Sequence, residues 1–208
     1  MPQKAKGWLV AVAALVGVWL IHNGAGTVLV PPQPTTAQAF AAGGPGVQPG
    51  SPVAAPLRPS TPVRLRIPSI KVDAPMIRLG LRSDGSLDVP PAENRNVVGW
   101  YKDGTPPGAK GTALVAGHVD NAQGRSVFYD LGTLAKGSTV EVVRQDGSTA
   151  VFSLDAIEVY KNTNFPDRRV YGASSFASLR LITCGGGFSP NTGYQGNVVA
   201  YAHLTGVR

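Results

Sequence analysis

Ala113-Leu114-Val115-Ala116-Gly117-His118-Val119-Asp120 and Leu179-Arg180-Leu181-Ile182-Thr183-Cys184 decide how this chain is read. Each is a short apolar run, as in a buried strand, that stops at a side chain able to do chemistry. Cys184 is the single cysteine of the chain, and His118 is one of three histidines. A thiol attacks as its thiolate; an imidazolium beside it lowers the thiol pKa and can then protonate a departing amine. The two residues lie 66 positions apart, so only two strands ending at a common rim would unite them. On residue type alone, a small buried cysteine and a hydrogen-bonded structural histidine are the commoner outcome.

Outward from these two stretches, residues 63–208 read as short strands punctuated by turns. Val63–Ile67 alternates apolar and polar residues, and Ile70–Leu79 is a second strand interrupted by Pro75. Ser83-Asp84-Gly85-Ser86 is a turn before a short Leu87–Val89 strand, and Val97–Tyr101 follows. Thr139–Arg144 and Thr149–Tyr160 flank Gln145-Asp146-Gly147-Ser148, a hairpin signature. Leu179–Cys184 and Asn197–Leu204 complete the series, and only Ala122–Leu134 and Tyr171–Ser178 suit short helical turns. This pattern predicts one all-β domain, a barrel or a sandwich.

Charge divides the chain. Up to Pro62 there are three basic residues (Lys4, Lys6, Arg58) and no acidic one, while all 12 carboxylates and sixteen Lys and Arg come later. The folded part is thus only about +4, with no basic block interleaved with aromatics, which argues against nucleic-acid binding. Three scattered histidines and one cysteine argue against a zinc site, and no cofactor is expected.

Residues 1–30 pair a basic flank, Lys4 and Lys6, with an apolar run from Trp8 to Val30. Two readings compete: a signal peptide cleaved near Ala37-Gln38-Ala39, or a retained anchor long enough to cross a bilayer. Tryptophans at positions 8 and 19 and the N-terminal lysines favour the anchor, with the remainder exported. An unpaired exported cysteine cannot make an internal disulfide, which favours a reactive role for Cys184. Residues 31–62 hold nine of the 18 prolines and are expected to be a disordered or polyproline-like tether.

Arg66-Ile67-Pro68-Ser69-Ile70, Val98-Gly99-Trp100-Tyr101, Ala116-Gly117-His118-Val119-Asp120, Val127-Phe128-Tyr129, Val170-Tyr171-Gly172 and Leu179–Gly186 run in an order that resembles the sortases. These are exported cysteine transpeptidases of Gram-positive bacteria, and the nearest likeness is to the class F group of actinobacteria. The resemblance implies a sortase-type eight-stranded β-barrel, carried at the cell membrane on a single N-terminal pass with the catalytic domain extracellular. It implies that Cys184 attacks the Thr–Gly carbonyl of an LPXTG-like sorting signal and that His118 protonates the departing amine. A cell-wall precursor or pilin amine would then resolve the acyl-enzyme. Thr183 matches the family's threonine before the nucleophile, and residues 161–176 fall where the family places the loop beside the sorting-signal groove.

The chain departs from the family at one position. Where class F resembles Tyr-Arg-Asp-Asn before the last strand, this sequence reads Tyr194-Gln195-Gly196-Asn197. Gln195 thus occupies the place of the arginine that binds substrate and stabilises the oxyanion. An amide still donates a hydrogen bond but brings no charge; Arg168, Arg169 and Arg180 are candidate substitutes, and Arg180 shares the strand face of Cys184 only if no bulge intervenes. Two alternatives therefore stand beside the transpeptidase: a catalytically weak surface domain that binds sorting-signal peptides, and an exported cysteine hydrolase. Asp120 is a candidate partner for His118 or a surface carboxylate, and Phe165, Pro166 and Tyr171 are candidates for an apolar pocket.

Overall fold

Pro62-Val63-Arg64-Leu65-Arg66-Ile67 turns Leu65 and Ile67 to complete burial and leaves Arg64 and Arg66 outward, as the alternation predicts. The structure, a computed structural model, describes residues 30–41, 46–47 and 51–208. The anchor expected in residues 1–30 lies, but for Val30, outside the described residues.

Eight strands close a barrel. They are β1 (Pro62–Ile67), β2 (Val72–Leu79), β3 (Val98–Tyr101), β4 (Gly111–Gly117), β7 (Thr139–Arg144), β8 (Thr149–Lys161), β9 (Ala177–Ser189) and β10 (Gly193–Val207). Their order around the barrel is β1-β2-β3-β4-β9-β10-β8-β7, and β7 pairs back to β1. A separate ribbon of β5 (Asp120–Asn121) and β6 (Gly124–Arg125) follows β4, and a five-residue helix, α1 (Asp167–Tyr171), precedes β9. Of the barrel and the sandwich that the strand pattern allows, the chain forms the barrel, as the family resemblance implies.

Pro75 lies inside β2, opposite Arg64 of β1 and one residue before β2 begins to pair with β3 at Met76. The β7–β8 turn forms as read. Gly147 takes φ +84°, and Asp146 Oδ1 accepts from the Ser148 amide and hydroxyl at 3.0 and 2.6 Å. Leu87–Val89 is not a strand, making only a single bridge from Leu87 to Leu81. Residues 122–134 form the second strand of the β5–β6 ribbon and one 3₁₀ turn (Leu131–Thr133) rather than a longer helical stretch, and the helix of the second region begins earlier, at Asp167.

The interior is filled from every strand of the barrel. Leu65, Phe128, Phe152, Leu154, Leu179 and Leu181 are each fully buried there, each such side chain contributing about 1.5–3 kcal/mol of transfer free energy.

The described residues of the 31–62 segment lie on this barrel rather than free of it. Ala54 and Leu57 pack against the core, and their amides donate to the carbonyls of Leu204 and Gly108 at 2.9 and 2.8 Å. Buried Arg144 donates to the Arg58 carbonyl, and Gln38 Nε2 donates to the carbonyls of Gly132 and Leu134 at 2.7 and 2.8 Å. A proline-rich segment cannot build a core of its own. Its apolar side chains can still be buried by another body, and its extended backbone leaves carbonyls free to accept.

Candidate active site

Strands β4 and β9 are parallel neighbours, paired from Gly111 opposite Ala177 through Ala116 opposite Ile182 without a break in register. The offset of 66 residues in those pairs is also the separation of His118 and Cys184, so the same register carried two residues on sets them level. Both follow outward-facing neighbours, Ala116 and Ile182, by two residues and so fall on the outer face of the barrel wall. Adjacent strands lie about 4.8 Å apart. The paired part of the two strands thus ends at one edge of the barrel wall, with His118 and Cys184 each two residues past the last pair.

His118 sits one residue past the end of β4, where close packing fixes the backbone. A Cβ on Gly117 would lie 2.6 Å from Phe128 Cδ2, so only glycine admits this approach. The His118 carbonyl accepts from the Phe128 amide at 3.0 Å. The His118 ring places Nε2 2.7 Å from the Pro90 carbonyl. A carbonyl has no proton to give, so Nε2 carries the hydrogen and donates it, which leaves Nδ1 as the nitrogen free to exchange a proton. Asn121 Nδ2 donates to the Ala92 carbonyl at 2.6 Å, tying the same loop to the rim a second time.

Cys184 lies within β9, reaches solvent and is unpaired. Enclosure by neighbouring groups, and then the Asp120 carboxylate, push its thiol above the ordinary cysteine range. Asp120 is therefore not a bland surface carboxylate. It accepts a 2.5 Å hydrogen bond from the Tyr194 hydroxyl, whose own pKa rises through burial and this bond. Across the β9–β10 ladder the residue opposite Cys184 is Asn197, whose Nδ2 donates to Asn162 Oδ1 at 2.9 Å. Sequence reasoning missed Tyr194 and Asn197 as neighbours of the cysteine. Both stood in the quoted Tyr-Gln-Gly-Asn run, but only the ladder register reveals which of the four faces Cys184.

Gln195 is exposed and falls at the register shift between Tyr194 and Gly196, beside Gly187. Arg180 does share the outer face with Cys184, because the ladder is regular from Ser178 to Gly185. Four residues along a strand put its Cα about 13 Å from that of the cysteine. Its guanidinium stacks 4.4 Å from the Tyr201 ring centre and donates to the Leu179 carbonyl at 3.1 Å. Thr183 points the other way, into the barrel, 4 % exposed and with its hydroxyl unpartnered. The structure thus brings Cys184, Asp120, Tyr194 and Asn197 together, places His118 just past the end of the neighbouring strand with its ring on the Pro90 carbonyl, and turns Arg180 and Thr183 elsewhere.

A groove of about 770 Å³ runs along the outer face of β4. Thr112 and Leu114 line it with Leu81, Leu87, Tyr101 and Tyr171, and His118 lies four residues beyond Leu114 on the same face. Of the aromatic residues before β9, Tyr171 lines the groove. Phe165 packs instead between Tyr160 and Tyr171, at 5.8 and 5.5 Å between ring centres.

The chain belongs to the sortase family, whose domain matches residues 65–205. Several solved structures share its fold at low identity. Sortase A from Listeria monocytogenes is 15 % identical with a TM-score of 0.54, over 72 % of this chain and 90 % of that one. A sortase from Actinomyces oris is 16 % identical with a TM-score of 0.53, over 85 % and 90 %. The Clostridium perfringens sortase D5 transpeptidase is 19 % identical with a TM-score of 0.51, over 70 % and 79 %. No curated protein matches the chain.

Proposed function

We propose that this chain is a membrane-anchored cysteine transpeptidase of the class F type that cleaves an LPXTG-like sorting signal and joins the released protein to a wall or pilin amine. The observation that supports the reading is the unbroken 66-residue offset of β4 and β9, which, continued two residues past its last pair, would put His118 level with Cys184. The apolar groove along β4 suits an extended peptide with an apolar residue at its far end, delivered toward that pair.

In the first step the Cys184 thiolate adds to the Thr–Gly carbonyl carbon, and the carbonyl electrons move to oxygen. As the tetrahedral species collapses, the C–N bond breaks and protonated His118 gives its Nδ1 proton to the departing amine. Nε2 stays on the Pro90 carbonyl, which holds the ring in one orientation. An amine then attacks the thioester, His118 takes its proton, and the new amide forms as the thiolate leaves. Residues 1–30 would hold the enzyme in the membrane with the barrel outside the cytoplasm. Because burial and Asp120 push the thiol up rather than down, little of Cys184 is thiolate near neutral pH, and the rate should be modest.

One observation favours a second reading, a weakly active peptide-binding domain: Arg180 lies about 13 Å along β9 from Cys184 and Gln195 brings no charge. Incubation with LPXTG-type peptides and triglycine separates the two. The transpeptidase forms a ligated product that Cys184→Ala abolishes, whereas the binding domain retains peptide without cleaving it.

A further inference from the structure

A second cavity lies on the outer face of β9 and β10, on the far side of α1 from the groove. It measures about 330 Å³ and is lined by Arg168, Arg169, Arg180, Ser174, Ser178 and Asp155, with Phe40 and Tyr201 at its apolar wall. Charge here is out of balance. Arg169 pairs with Glu158 at 3.4 Å, and Asp155 is held by buried His203 at 2.7 Å. Three guanidinium groups therefore face two carboxylates, one of them shared with an imidazole.

Two of the arginines are also incompletely satisfied. The Nε atoms of Arg169 and Arg180 are buried without a hydrogen-bond partner. Burial pulls the Arg180 pKa down to about 10, so its charge is poorly solvated where it sits. An oxyanion in the cavity would balance the charge of the guanidinium groups that line it.

We propose that this cavity binds a phosphate-bearing ligand, phosphate or diphosphate, through Arg168, Arg169 and Arg180. Guanidinium forks bind carboxylate and phosphate alike. Donors here come from α1, from β9 and from the Ser174 and Ser178 hydroxyls, which bond to each other at 3.0 Å. Donors on several sides suit a tetrahedral group with three or four acceptor oxygens better than a planar carboxylate, and the volume admits more than one phosphate. The site is separate from the Cys184 chemistry and stands whether or not the chain is a transpeptidase.

The test is calorimetric titration of inorganic diphosphate into the detergent-solubilised full chain at about 150 mM salt, where weak surface pairing is screened. Saturable one-to-one binding is expected, weakened about tenfold by Arg168→Ala and more by Arg180→Met. Arg168 is exposed, so its removal leaves the fold intact, as circular dichroism will verify. A short-chain phosphatidic acid that binds more tightly than diphosphate would assign a lipid headgroup, and weaker binding a free phosphate. No saturable heat, or unchanged affinity in folded Arg168→Ala, overturns the proposal.

Discussion

The Tyr194 hydroxyl donates to Asp120 Oδ2 at 2.5 Å, holding a carboxylate beside the thiol of Cys184. The phenol is the donor and the carboxylate keeps its charge, so Asp120 opposes formation of the thiolate. Removing that charge should release the thiol. Asp120→Asn is expected to speed iodoacetamide labelling of Cys184 about three- to tenfold near pH 7, since one pKa unit is tenfold in thiolate. In the unmodified chain, labelling should keep rising with pH beyond the ordinary thiol range, because the folded pKa is raised. Unchanged labelling of Asp120→Asn would remove Asp120 from the site's electrostatics.

Thr183 presents a buried hydroxyl with no partner to the barrel interior, on the face away from the cysteine. Thr183→Val keeps the shape and removes the unsatisfied group. It should leave the urea midpoint unchanged or raise stability by about 1 kcal/mol. A loss of more than about 1 kcal/mol would mean that the hydroxyl makes a bond that matters.

Phe40 fastens the N-terminal segment to the barrel, its ring edge-on to Tyr201 at 5.0 Å and its amide donating to Glu158 at 3.1 Å. Phe40→Ala should cost about 1–2 kcal/mol and open residues 31–41 to proteolysis while the barrel resists. Equal proteolysis of both proteins would show that the segment is held by its other contacts, Gln38 on Gly132 and Leu134 among them.

The barrel was legible because alternation, the Asp-Gly turn and the two apolar runs each carry local physics. The rim was legible only in part. His118 and Cys184 stand out by residue type, but Asp120, Tyr194 and Asn197 acquire meaning only through cross-strand register, which no local pattern contains. Arg180 was read correctly as to face and not as to partner: alternation gives the side of a strand, while Tyr201 across the ladder decides where the guanidinium goes. The proline-rich segment was read as a tether because its composition cannot build a core, yet a neighbouring barrel can bury its Ala54, Leu57 and Phe40.

Gln195 sits where family likeness would put an arginine. If charge at that position limits the rate, Gln195→Arg should raise peptide cleavage about 10- to 1000-fold, the range spanned by single oxyanion donors. No gain, with the fold intact, would show that the register shift at residue 195 directs the side chain away from the reacting carbonyl.

The most direct test is the intact mass of the protein after mixing with LPXTG-type peptides in the absence of an acceptor amine. We expect an acyl adduct on Cys184 that Cys184→Ala lacks, that His118→Ala forms at least about a hundredfold more slowly, and that triglycine discharges into a ligated product. A chain whose thiol alkylates normally but takes up no acyl group from any sorting-signal peptide would contradict the transpeptidase account.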